Sequence, residues 1–205
     1  MDELKVIEIL KNELGFSDSS IKKLKKFHNY LLEYNKRYNL ISKNTEKSIW
    51  IRHILDSAQI IKFIDISKDQ NIVDFGSGAG FPGLIIAFYN ENKGFHVKLY
   101  DKSPLKRAFL INVKEKLDIR NLDIDNDVYG EEILADIIVC RAFKKLEEIL
   151  KISRETVKKP HKLIILKGKN AQSEINNVSL GSNYSYKLEK SITDHDSKII
   201  IIDAK

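Results

Sequence analysis

The stretch Ile72-Val73-Asp74-Phe75-Gly76-Ser77-Gly78-Ala79-Gly80-Phe81-Pro82-Gly83 constrains the fold of this chain more than any other. A short apolar run of the kind buried in a parallel sheet leads straight into glycines, and Pro82 stands where a first helical position would be. Glycines there let the backbone turn tightly and let a ligand approach it, while a helix start offers free N–H groups. Two registers overlap. Gly78-x-Gly80-x-x-Gly83 satisfies the dinucleotide fingerprint, and Gly76-x-Gly78-x-Gly80 is preceded by Asp74. A lone fingerprint is weak, so its surroundings must decide.

Those surroundings alternate. Strand candidates are 72–75, 96–100, 122–124, 137–140, 163–166 and 199–202, and helical patterns lie between several of them at 82–89, 105–117, 144–157 and 171–178. That rhythm predicts an α/β fold, a mainly parallel sheet covered by helices. It breaks at the end, where 184–188 and 198–202 are strand-like with only a polar turn between them, which predicts a terminal antiparallel hairpin. Residues 1–66 read as helical: Leu4, Ile7, Leu10 and Leu14 recur at helical spacing before Gly15, and Ser17 or Asp18 can cap a second stripe of Ile21, Leu24, Phe27, Leu31, Tyr34 and Tyr38. A third helical segment is expected at 49–64. The domain reading is therefore a helical N-terminal extension at 1–66, a polar linker, and a ligand-binding domain at 71–205.

Asp101 ends the second predicted strand, where a carboxylate can accept hydrogen bonds from both hydroxyls of a ribose. That serves a nicotinamide dinucleotide or S-adenosylmethionine. Only about 120 residues follow the glycine unit, too few for a second mononucleotide half and a separate substrate domain. The terminal hairpin is foreign to dinucleotide folds and usual in methyltransferases. Asp74, just before the loop, suits a cationic ligand better than a pyrophosphate. These features favour S-adenosylmethionine.

The chain carries Lys+Arg 35 against Asp+Glu 29, a formal net charge of +6 over 205 residues. Both flanks are net basic and the middle is net acidic, so a polyanion would be held by the flanks around a centre that binds something else. No apolar run reaches membrane length, and the first residues lack a signal-peptide pattern. A cytoplasmic protein without membrane attachment is expected. One cysteine, Cys140, and five scattered histidines leave no disulfide and no zinc pattern. Nothing in the sequence demands more than a monomer.

The segment Asp74 to Gly83 closely resembles the first motif of the bacterial 16S ribosomal RNA guanine-N7 methyltransferases, the glucose-inhibited division protein B family. Three other stretches look like the same family: Tyr38-Asn39-Leu40 followed by Trp50-Ile51-Arg52-His53-Ile54-Leu55-Asp56-Ser57, then Cys140-Arg141-Ala142-Phe143-Lys144-Lys145-Leu146, then Leu166-Lys167-Gly168. The resemblance spans roughly Tyr38 to the C-terminus, with every motif in order. It implies a class I, Rossmann-like S-adenosylmethionine-dependent methyltransferase fold, and N7 of a guanine in the decoding-region loop of 16S ribosomal RNA as the target, within the small subunit or free.

Carried over by position, Asp74, Gly76, Gly78, Gly80 and Phe81 would form the cofactor loop, and Asp101 would meet the ribose. Tyr129 and Gly130 fall where the family usually has Ala-Glu, so backbone groups there would read the adenine edge without the usual carboxylate. Arg141 would lie beside both cofactor and substrate. Lys198 stands where the family usually has arginine, which weakens a bidentate phosphate contact.

Guanine N7 offers an in-plane lone pair and carries no hydrogen, so its methylation needs alignment and water exclusion rather than a general base. No catalytic dyad is visible. No Pro-Pro pair of the exocyclic-amine enzymes exists, and Cys140 lacks the preceding proline of a cytosine-C5 nucleophile, reading instead as a small core residue. Arg141, at the carboxyl end of a strand, and Lys167, at the end of the next, are the candidate catalytic residues; a helix ion pair of Arg141 with Glu147 and a solvated Lys167 are the plainer readings. Arg52 and Asp56 read either as an i,i+4 ion pair or as part of a face closing over the cofactor. The rival to a methyltransferase is a non-catalytic RNA-binding module whose pocket has decayed, a reading that rests on Tyr129-Gly130.

Overall fold

In the computed structural model, residues 1–89 and 94–205 are described. A seven-stranded sheet of order β3-β2-β1-β4-β5-β7-β6 forms its centre. Its strands are β1 (Gln70–Phe75), β2 (Phe95–Tyr100), β3 (Leu122–Asp125), β4 (Ile137–Arg141), β5 (His161–Lys167), β6 (Tyr184–Lys190) and β7 (Lys198–Ala204). The pairs β1–β2, β2–β3, β1–β4 and β4–β5 are parallel, whereas β7 is antiparallel to both β5 and β6. The inner strands are continuous apolar runs because both faces are covered: Ile137–Cys140 and Leu163–Ile165 are entirely buried.

The helices are α1 (Glu3–Asn12), α2 (Asp18–Asn35), α3 (Asp56–Ala58), α4 (Gly83–Tyr89), α5 (Pro104–Lys116), α6 (Leu146–Thr156) and α7 (Ala171–Asn176). None is long and apolar enough to cross a membrane among the described residues. Ser17 caps α2 by accepting from Ser20 N at 3.0 Å, and Gly15 takes a positive φ of 77° after α1. In α1 the buried residues are Val6 and Leu10, while Leu4 is 75% exposed, so the stripe is rotated from the one expected. The α2 stripe Ile21, Leu24, Phe27 and Leu31 is buried. Phe27 is its centre, with ring centroids 5.6 Å from Phe81, 5.7 Å from Phe88 and 6.3 Å from Phe109. Through it the N-terminal helices share one hydrophobic cluster with α4, α5 and one face of the sheet. The other face packs against α6 and α7.

The expected helix at 49–64 is instead three short pieces of different winding, with a further turn ahead of it. A 3₁₀ turn covers Lys43–Ser48, a π-helical turn Trp50–Leu55, then α3, then a second 3₁₀ turn Gln59–Phe63. The Arg52–Asp56 ion pair is not formed; Asp56 turns to Arg141, 3.3 Å away. A single wide turn of this kind rotates side chains out of helical register and is common where residues are aimed at a site.

Candidate active site

The order reverses between β1 and β4, and ligands of open α/β sheets bind outside the carboxyl ends of the strands at such a point. Two cavities open there. The first, of about 490 Å³, is lined by residues including Gly76, Asp101, Val128, Tyr129, Ala142 and Phe143. The second, of about 310 Å³, is lined by residues including Arg52, His53, Asp56, Arg141, Lys167 and Lys198. Ala142 borders both.

The glycine loop shapes the first cavity. Gly76 and Ser77 N–H groups both donate to Tyr100 O at 2.9 Å, which ties the end of β1 to the end of β2. Gly76 has φ 75°, and a side chain there would meet Phe143 at 2.3 Å. Asp101 accepts from Gly78 N on Oδ2 and from Ser103 N on Oδ1, both at 2.8 Å. Each carboxylate oxygen has a second acceptor site, so the group is fixed in place and can still receive ribose hydroxyls. A cavity of this size, a glycine loop without side chains and a positioned carboxylate fit S-adenosylmethionine.

Several expected cofactor residues sit elsewhere. Asp74 does not face the cavity: it is fully buried beneath the loop, where Oδ2 accepts from Gly83 N at 2.8 Å and Oδ1 has no partner. Burial raises its pKa to about 7, against the pull of hydrogen bonds from Gly83 and Ser77 and of the Arg141 charge. A carboxylate in this place builds the loop rather than contacting a ligand. Gly78 and Gly80 shape the turn without lining the cavity, and Gly130 lies outside it on an exposed bend. Phe81 is buried and forms a floor beneath the second cavity's residues: the His53 ring stacks on it at 5.0 Å and the Arg141 guanidinium lies 5.1 Å from its centroid. Gly76, Asp101 and Tyr129 are the expected residues brought to the first cavity.

Around the second cavity Arg141 is tied to the N-terminal segment. It donates to Arg52 O at 2.8 Å, to Asp56 Oδ2 at 3.3 Å and to His53 Nδ1 at 2.7 Å. Its acid partner is therefore Asp56 and not Glu147. The other oxygen of Asp56 accepts from Thr193 Oγ1 at 2.8 Å and Gln59 Nε2 at 2.9 Å. Gln59 also donates to Ser191 Oγ and accepts from Ile192 N, so the turn between β6 and β7 is clasped to the N-terminal segment. His195, at the tip of that turn, is fully exposed, with Asp196 Oδ1 3.5 Å from its Nδ1. Lys167 is not a solvated lysine. It donates to Lys144 O at 2.5 Å and to Glu174 Oε2 at 2.8 Å, and Glu174 in turn accepts from Leu146 N. Cys140 is fully buried, and desolvation pushes its thiol up, out of nucleophilic range.

A family model described as rRNA small subunit methyltransferase G matches residues 20–199. The chain belongs to that family. Among its relatives, the ribosomal RNA small subunit methyltransferase G of Orientia tsutsugamushi (strain Ikeda) is 35% identical over 199 residues, covering 96% of this chain and 97% of that one. The protein of the same description from Rickettsia felis is 35% identical over 181 residues, 88% of this chain and 91% of that one. Among solved structures, a SAM-dependent methyltransferase from Aquifex aeolicus superposes with a TM-score of 0.58 at 12% identity, over 72% of this chain and 88% of that one. TYW2 of M. jannaschii, solved with AdoMet, gives 0.51 at 16% identity over 73% and 74%. The fold of this family member is thus the class I S-adenosylmethionine-dependent methyltransferase fold with a helical N-terminus.

Among the lining residues of the first cavity that the sequence did not single out, Ala142 and Phe143 had their motif in view. Ala142 and Phe143 follow Arg141 directly, and Ala142 takes a positive φ of 50° that swings the chain across the cavity. Val128 gave no signal of its own.

Proposed function

We propose that this protein transfers the methyl group of S-adenosylmethionine to N7 of a guanine in the decoding-region loop of 16S ribosomal RNA. The cofactor supplies an electrophilic methyl on a sulfonium. The glycine loop from Gly76 would hold its amino-acid end, Asp101 its ribose, and Val128 with Tyr129 its adenine edge. The target base would enter the second cavity and meet the methyl beside Ala142.

The observation that carries the reading is that the one carboxylate and the one imidazole among the second cavity's described side chains are both committed to Arg141, together with membership in a ribosomal RNA methyltransferase family. Both oxygens of Asp56 are engaged. His53 accepts from Arg141 on one nitrogen and meets Thr45 Oγ1 at 2.9 Å on the other. A carboxylate held as counter-ion to an arginine is a poor base for an exocyclic amine or a hydroxyl, and N7 has no proton to lose. Arg141, carried close to both cavities, places a fixed positive charge there and orients rather than reacts. The 16S substrate, free or within the small subunit, and the cytoplasmic location belong to the same proposal.

Labelled methyl transfer to unmethylated small subunits, naked 16S RNA, transfer RNA and bulk protein tests it, followed by digestion of the product. Label recovered as 7-methylguanine from 16S RNA alone is the expected result. Label on an amine or on protein would refute the reading.

A further inference from the structure

The four cations around the second cavity fall into two kinds. Arg141 is neutralised by Asp56 and Lys167 by Glu174. The side chains of Arg52 and Lys198 line the same cavity and have no hydrogen-bond or ion-pair partner among the described residues. The sheet register extends this pattern. Lys167 stands directly opposite Lys198 on β7, and Lys198 directly opposite Lys190 on β6. Directly paired residues share a face, and two residues further along each strand Ile165, Ile200 and Leu188 belong to the cluster under α6 and α7. Three lysines therefore form one row across three adjacent strands, on one face, at the rim where the cavity opens.

Like charges placed opposite each other destabilise a sheet. One carboxylate, Glu174, serves this row and is spent on Lys167. Glu189 pairs with Lys187, and no ion pair joins Asp194 or Asp196 to Lys190 or Lys198 among the described residues. An uncompensated row of this kind is relieved by an anion. Lysines suit a polyphosphate backbone that offers repeated point contacts rather than one fixed fork.

We propose that Lys198 and Lys190, with Arg52 contributed by the N-terminal segment, form a phosphate track that leads the RNA strand from the second cavity toward the β6 edge. The track rests on reading that cavity as the acceptor site, and it identifies the partner chemistry there as the sugar-phosphate backbone of single-stranded RNA. Arg141 and Lys167, being already paired, contribute little to the salt dependence of binding.

The test is binding of unmodified 16S RNA to the full chain across a salt series, with methyl transfer measured in parallel. Each phosphate contact on a single strand adds about 0.7 to the slope of log affinity against log salt. The double variant Lys198→Ala, Lys190→Ala should lose about 1.4 from that slope, and Arg52→Ala about 0.7. Lys158→Ala removes an exposed lysine at the amino end of β5, the opposite end of the sheet, and should leave the slope unchanged. An unaltered slope in the double variant would overturn the track, and so would an equal loss in Lys158→Ala, which would show a diffuse charge effect. Wild-type protein lacking salt-dependent RNA binding would overturn both the track and the acceptor reading. Slope loss as expected with methyl found on another atom would sink the N7 chemistry and leave the track standing.

Discussion

Arg141 donates to Nδ1 of His53 at 2.7 Å, and this one bond sets the tautomer of the imidazole. With Nδ1 accepting, the ring proton lies on Nε2, which donates to Thr45 Oγ1 at 2.9 Å; Thr45 donates onward to Ser42 O. The polarity runs one way, from guanidinium to backbone carbonyl, and leaves the histidine no free nitrogen.

His53 must therefore stay neutral in the folded protein. Burial, followed by the Arg141 and Arg52 charges, lowers its pKa to about 3 from 6.5. The unfolded chain takes up this proton as pH falls below about 6.5, so His53 makes the fold lose stability progressively from there toward pH 3. Tm measured in that window should fall less steeply for His53→Gln than for wild type. An equally steep acid limb would show that the ring titrates freely.

Asp74 works in the opposite direction. Its folded pKa, about 7, exceeds the ordinary 3.8, so the folded state holds a proton that the unfolded state releases, and stability declines as pH rises from about 4 to 7. Above that window the buried charge costs up to about 4 kcal/mol. Asp74→Asn keeps an oxygen for Gly83 N and removes the charge, so its Tm should exceed that of wild type at pH 8 by more than at pH 5. A variant less stable at pH 8 would contradict this account.

Gly76→Ala should abolish cofactor binding without unfolding the sheet. Its φ of 75° and the Phe143 ring 2.3 Å from the added carbon leave no room for a methyl unless the cavity wall moves. Left-handed strain costs roughly 1–2 kcal/mol of stability in free and bound protein alike, whereas the affinity falls because Phe143, which lines the cavity, must be displaced. Calorimetry with S-adenosylmethionine reads this directly, and unchanged affinity would refute it.

Phe27→Ala should destabilise the whole chain by about 3–5 kcal/mol, the usual range for a buried phenylalanine, because its ring touches α4, α5 and the glycine loop at once. Chemical denaturation should remain one transition with a lower midpoint. A second transition, with the sheet unaffected, would mean that the N-terminal helices fold apart from it.

Arg141→Ala should nearly abolish methyl transfer in a protein that still folds, and Arg141→Lys should fail to restore it. A lysine offers no planar fork for Arg52 O, Asp56 and His53 together. Near-normal turnover of either variant would exclude the orienting role.

The alternation of apolar runs made the parallel sheet legible, because strands buried on both faces leave a continuous signature and glycine turns mark their ends. The hairpin could be read from two strand-like runs separated by only a polar turn, although its outer strand β6 is largely exposed. The changes of winding across 50–63 could not be read, since Arg141, which bonds to Arg52 O, His53 and Asp56 there, lies far along the chain. The cofactor cavity was partly visible through Gly76 and Asp101. The partners of Asp74 and Lys167 were not legible, because sequence shows a charge beside a loop but not the buried Gly83 N–H or the Glu174 carboxylate that it meets. The second cavity stayed hidden for a simpler reason: Thr45, Arg141 and Ser191 meet only after three distant segments have packed.

The clasp between Gln59, Asp56 and the Ser191–Thr193 turn also has a temporal side. By Lys144 the growing chain has contributed every residue that lines the first cavity, whereas the second still awaits Leu166, Lys167 and Gly168 and then Ser191, Ser197 and Lys198. Chains fold broadly from the N-terminus during synthesis. A nascent or truncated chain lacking its last hairpin would carry the complete lining of one cavity and an unfinished wall of the other, so on the proposed reading the place for a methyl donor is built before the place that chooses its recipient.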